Sequence, residues 1–199
     1  MRMSGVPAVL FALAALSSGC SRTAPPPATV VVPAPAVPSE SVDNPQYHSW
    51  AKQRPGTVVV IRAVTRSDGN DAQTVSTTTY TLLEVTPTAV RLRSQQAMKR
   101  YDGHETNDPP DEYAVSRTVS VPKSAAKDQP AAAVTESVTV GGKVYLARTQ
   151  KGTASNEAGE VLNQVWLSDD APGGLVKAVT RTPSIGKTTT TELISVTVP

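Results

Sequence analysis

From Thr57 to Val198 the chain is a succession of valine- and threonine-rich runs, each closed by turn-forming residues. Residues 57–66 (TVVVIRAVTR) run into Ser67-Asp68-Gly69-Asn70-Asp71, and a second run over 72–85 ends at Pro87. Branching at Cβ stiffens χ1, which disfavours a helix and suits a pleated strand. The chain holds 27 Val and 24 Thr against 11 Leu and 3 Ile, so this preference acts over most of its length. In residues 89–94, Val90 and Leu92 alternate with Arg91 and Arg93, the period of a strand with one buried face. Residues 113–121, Val134–Val140, 143–149, 160–168, 174–182 and 187–198 read as further strands, with 95–111 and 122–133 as loops. Gly141-Gly142 between two such runs predicts a two-residue hairpin loop, because both positions tolerate positive φ. Short connections force antiparallel neighbours. The expected fold is all-β: an antiparallel meander of about eight or nine strands, curled into a sandwich or an incomplete barrel. Only residues 47–53 suit a helical turn.

The N-terminus is of a different kind. Arg2 precedes an apolar run over residues 6–16, followed by Ser17, Ser18 and Gly19. A basic start, a short apolar stretch and small residues make a secretory signal peptide over residues 1–19. The run is shorter than the roughly 20 residues a membrane-spanning helix needs. Cys20 is the only cysteine, which excludes a disulfide framework within the chain. Gly19-Cys20 with Leu16 upstream resembles the lipobox of bacterial lipoproteins. Leu16 stands four residues before the cysteine, one further than in the usual pattern, and Ser17 takes the apolar position. The resemblance implies cleavage after Gly19, acylation of Cys20 by fatty acids such as palmitate, and attachment to a membrane without a transmembrane segment. Ser21 then fits outer-membrane sorting, since Asp is the usual retention signal there.

Residues 20–45 read as the lipidated cysteine and a Pro/Ala-rich tether. Seven of the 17 prolines fall between Ser21 and Pro45. Proline fixes φ and removes donors, and extended polyproline-II at about 3.1 Å per residue would span up to roughly 75 Å. Val30–Val32 could add a short strand, against the flanking prolines. Residues 46–199 remain as one β domain, long enough for one core.

Two stretches carry a second resemblance: Asn44-Pro45-Gln46-Tyr47-His48-Ser49-Trp50-Ala51, and Trp166-Leu167-Ser168-Asp169-Asp170-Ala171-Pro172-Gly173-Gly174-Leu175-Val176-Lys177. They resemble the NPxYxxWA and WxSxxxPGGxVK elements of an uncharacterised family of small exported bacterial proteins. That family brings no activity with it. Its shape is similar, by fold analogy alone, to the curved sheets of lipoprotein carriers. In physical terms, Tyr47 and Trp50 share one side of a helical turn and could plug the open end of the sheet. Pro172-Gly173-Gly174 joins a fixed φ to permissive ones for a tight connection. Trp166 would pack in or beside the sheet.

Reactive chemistry is sparse. His48 and His104 are the only histidines. Asp102, His104, Glu105, Asp108, Asp111 and Glu112 cluster around Pro109-Pro110 without the regular ligand spacing of a metal site. Asp68-Gly69-Asn70-Asp71 lacks the EF-hand spacing. No nucleophile elbow, zinc-protease helix or phosphate loop is present, so no cofactor and no catalytic residue is expected. A net charge of +2 gives no nucleic-acid footprint. The threonine runs 77–79 and 188–191 suit the wet face of a sheet, with a polar groove or O-glycosylation as the alternatives. The expectation is a lipid-anchored envelope protein that binds or scaffolds. Two readings stay open: the curved sheet cradles an apolar ligand, or a sheet edge binds another envelope protein or a glycan. An enzyme would require a polar pocket with a clustered nucleophile and base.

Overall fold

The computed structural model describes residues 39–69, 72–122, 134–157 and 159–199. The signal peptide, most of the tether, Gly19 and Cys20 lie outside the described residues. The chain runs β1 (Ser39–Asp43), α1 (Pro45–Ala51), β2 (Val58–Ser67), β3 (Gln73–Val85), β4 (Ala89–Lys99), β5 (Glu105–Asn107), β6 (Asp111–Ser116) and β7 (Thr118–Pro122). It continues through β8 (Val134–Val140), β9 (Lys143–Asn156), β10 (Gly159–Leu167), β11 (Leu175–Thr182), a 3-10 turn at Pro183–Ile185, and β12 (Lys187–Thr197).

The molecule is all-β and antiparallel. Ten strands form one open sheet in the order β5-β4-β3-β2-β12-β11-β10-β9-β8, with β6 also on β4. β1 and β7 make a separate ribbon, with Ser39 opposite Pro122 and Asp43 opposite Thr118. The sheet is two meanders, β2 to β6 and β8 to β12, joined where β12 pairs with β2 from Lys187↔Ser67 to Thr197↔Val58. Register shifts at Leu82/Glu84, Trp166/Leu167 and Leu193/Ser195 mark bulges, which bend strands and increase twist. The bent sheet brings the tip of the β8–β9 hairpin onto β12. A Cβ added at Gly141 (φ +55°) would lie 3.2 Å from the Ile194 carbonyl oxygen, so only glycine fits this approach.

Three sequence expectations are corrected. Residues 95–111 are not all loop, since β4 continues to Lys99 and β5 pairs Lys99 with Glu105. Burial there alternates only between exposed positions (Gln95, Ala97, Lys99) and half-buried ones (Gln96, Met98), so neither face demands an apolar series and the polar letters read as loop. Residues 113–121 are not one strand, because the chain breaks at Arg117 and β7 leaves the large sheet for β1. Ser39–Asp43, read from sequence as part of the tether, is a strand, because β7 pairs with it. Strands therefore number twelve among the described residues, against the eight or nine expected.

The core gathers at one end of the sheet. Val59, Leu82, Val90, Leu92 and Val115 come from the first meander, and Tyr145, Ala147, Val176 and Leu193 from the second. Tyr47 and Trp50 of α1 and Ala171 complete the cluster. The far halves of the same strands are threonine-rich and half-buried. There Thr65 and Thr189 share a hydroxyl hydrogen bond of 2.9 Å, and Thr180 donates to Asn163 Oδ1 at 2.9 Å. Threonine keeps the strand preference of valine while leaving a hydroxyl for such bonds. The runs 77–79 and 188–191 lie in β3 and β12 in this region.

Candidate functional site

α1 is short, and its start is fixed locally. The Asn44 side chain accepts from the Gln46 amide at 3.0 Å, Pro45 opens the first turn, and Asn44 Nδ2 donates to the Ser116 carbonyl at 2.9 Å. The cap satisfies an orphan donor and ties the helix to β6. Tyr47 and Trp50 face inward, 6% and 2% exposed. Tyr47 donates its hydroxyl to the Thr86 carbonyl at 2.8 Å, at the β3–β4 turn. Trp50 lies over the turn that follows β10. A Cβ added at Gly173 (φ +78°) would sit 3.2 Å from the indole nitrogen, and one at Gly174 4.0 Å from Ser49 Oγ. Lys52 Nζ donates to the Asp169 carbonyl at 3.0 Å. The two motifs, distant in sequence, form one junction containing Tyr47, Trp50, Pro172, Gly173 and Gly174.

Beside this junction is a cleft of about 310 Å³ lined by Asp43, Pro45, His48, Ser49, Lys52 and Asp169. His48 Nε2 is 3.5 Å from Asp43 Oδ2. Ser49 donates its hydroxyl to the Gln46 carbonyl at 2.8 Å, not to His48. A nucleophile needs a base within hydrogen-bond reach, and this arrangement does not supply one. The cleft presents two acids and one lysine, with Arg148 paired to Asp169 at 2.8 Å.

The acidic loop is spent on other bonds. Asp102 accepts from the His104 amide at 2.9 Å. Glu105 pairs with Lys99 at 2.8 Å and Glu112 with Arg93 at 2.6 Å. Among the described residues no three His, Cys, Asp or Glu side chains are grouped to hold a metal. Nor does any described helix have the length and apolarity to cross a membrane.

Trp166 stands at the margin of the core, on β10. Its indole nitrogen and Thr149 Oγ1 both donate to Glu136 Oε1, and Lys177 Nζ lies 5.7 Å from its ring centroid. Glu136 on β8 was not singled out from sequence, since a lone acid in a β-rich run gives no signal. The Thr149 and then the Trp166 hydrogen bonds hold its carboxyl below the ordinary glutamate value. The bonds therefore stabilise fully above the unfolded value and are lost as pH falls through the lower, folded one. On acidification the Trp166 indole N–H resonance is expected to move with a midpoint below the usual glutamate pKa of about 4.3. The movement should vanish in Glu136→Gln, and a midpoint at or above the usual value would contradict the bond.

The two edges of the sheet differ. On the β4 side, β5 has three residues, β6 six, and Pro109-Pro110, Asp111 and Glu112 lie between and within them. Short strands, proline and charge are the usual guards of an edge. On the other side, β8 pairs with β9 without interruption from Val140↔Lys143 to Val134↔Thr149. It has no proline, no bulge and one charge, Glu136, already bonded by its own chain. Among the described residues nothing pairs with its outer side. Near it, Val134, Val144 and Leu146 are 70%, 62% and 63% exposed. A second cleft, about 260 Å³, separates Val138–Gly141 from Val176, Lys177 and residues 192–194, and the Lys177–Glu192 pair (3.0 Å) closes part of it.

Compared with known protein families, the chain matches none, and it matches no curated protein. It is similar to solved structures at low identity. One is a protein described as exported, with a YmcC-like fold, from Bacteroides fragilis NCTC 9343 (TM-score 0.46, 8% identity, covering 73% of this chain and 97% of that one). Another is described as a lipoprotein, from Parabacteroides distasonis ATCC 8503 (TM-score 0.46, 14% identity, 73% and 96% covered).

Proposed function

We propose that the chain is an exported, lipid-anchored bacterial envelope protein without catalysis of its own, which works by offering the edge of β8 to an extended segment of a protein. The observation carrying this reading is the contrast between the two edges. A free strand edge binds an added strand through main-chain hydrogen bonds. The two-residue Gly141-Gly142 loop makes Val140 and Lys143 a hydrogen-bonded pair, so alternation turns the amides and carbonyls of Thr135, Ser137 and Thr139 outward. The acyl-cradle reading has the core against it. The apolar side chains at one end of the sheet pack on one another, the cleft left beside them is small, about 260 Å³, and lined in part by the Lys177–Glu192 pair, and threonine lines the strands beyond it. Cys20 and the proline-rich segment supply the anchor and the spacing in this reading.

A photo-reactive residue at Thr139, in intact cells, is expected to give a discrete adduct. The same probe at Ile185, exposed on the 3-10 turn, should give none. Equal labelling at both positions would sink the edge reading.

A further inference from the structure

Resting on that reading of β8, we infer that its occupant is β8 of a second copy of this chain, paired antiparallel about a twofold axis at Ser137. The strand reads Val134-Thr135-Glu136-Ser137-Val138-Thr139-Val140. Read backwards it is the same series except that Glu136 and Val138 exchange places. Antiparallel pairing centred on Ser137 sets Ser137 against Ser137, Thr135 against Thr139, and Val134 against Val140 of the second copy. Threonine–threonine pairs of this kind are favourable across strands. The three residues with outward main-chain groups meet one another, which is the register an antiparallel ladder requires. Glu136 comes opposite Val138, so the two like charges are never directly opposed. Each Glu136 is moreover turned to its own Thr149 and Trp166. Such an interface is isologous and closed, so it stops at two copies. Growth of the large sheet into a fibre would need its other edge to be open, and the β5–β6 edge is guarded.

Seven paired residues bury little area, and a contact of this size is weak between free molecules. Anchoring both copies in one membrane raises their effective concentration. The test therefore uses the full chain, in cells and in detergent. Across a hydrogen-bonded pair the Cα atoms are about 5.5 Å apart, within the span a disulfide bridges. Ser137→Cys is expected to yield, on oxidation, a species of twice the chain mass that disappears on reduction. The parent chain and Val144→Cys should not yield it. Ser137→Pro removes an outward donor and leaves the β9 ladder intact. It should abolish dimer seen by sedimentation, and Ser137→Lys should do the same if the proline variant fails to fold. No selective Ser137→Cys species, or a dimer that persists in folded Ser137→Pro or Ser137→Lys, overturns the inference. Adducts from Thr139 to a different protein, with the purified chain monomeric, would overturn the self-pairing and leave the edge reading standing. Absence of both would remove the two together.

Discussion

Trp50→Ala is expected to lower folding stability by about 3–5 kcal/mol, the range for emptying a buried aromatic site. For a domain with about 5–15 kcal/mol in all, that is a large share. The reason lies in what Trp50 touches. The aromatics of this chain are only 4% of its residues, and the indole joins α1 to the turn at Gly173 while its burial is nearly complete. Truncation leaves a void that the short helix cannot close without losing its hold on the Thr86 carbonyl. Gly173→Ala tests the same contact from the other side. It places a methyl 3.2 Å from the indole nitrogen at φ +78°, where an L side chain is disfavoured by roughly 1–2 kcal/mol. In a Trp50→Ala background only the backbone penalty remains, so the two changes should be less than additive. Denaturant midpoints at unchanged m-value measure all of these. A Trp50→Ala loss under about 1 kcal/mol would show that the junction is not part of the core.

Cys20→Ala is expected to move the chain from the membrane to the soluble fraction and to abolish incorporation of labelled fatty acid. One myristoyl chain holds a protein only marginally, while each buried CH₂ adds about 0.8 kcal/mol, so two chains anchor stably and none anchors at all. Membrane retention of the alanine variant, or an unlabelled parent protein with a bare thiol, would refute lipidation. The fold of the described residues should be untouched, since in the proposed reading Cys20 serves only the anchor.

The parts of the fold that could be read from sequence are those where one face of a strand is covered. Val90-Arg91-Leu92-Arg93 alternates because Val90 and Leu92 enter the core and the arginines meet solvent and Glu112. Residues 95–99 continue the same strand with one face only half-buried, and there the glutamines and the loss of valine and leucine suggest a loop. The β1–β7 ribbon was hidden for another reason. Val119 and Val121 alternate with Thr118 and Ser120 and read as a continuation of the strand before them, whereas Ser39–Asp43 has no such pattern and is a strand with β7 beside it. The candidate site divides in the same way. Asn44, Tyr47, Trp50 and the Pro-Gly-Gly turn stand out as residue types, but their meeting is a property of tertiary structure. Which strand would be left at an edge depends on β12 choosing β2, a choice no local signal encodes. The inverted symmetry of β8 is visible in its letters and acquires meaning only because, among the described residues, its outer side is unpaired.

β12 is the last strand in chain order and lies in the interior of the sheet, with Thr65 and Thr189 in contact 124 positions apart. Contacts of such sequence separation make loop closure costly and slow the search for the native state. The first meander can form early, but β2 has no partner on that side until β12 has been made. A nascent chain therefore carries the open flank of β2 until β12 emerges, the interval when a holding chaperone has most to protect.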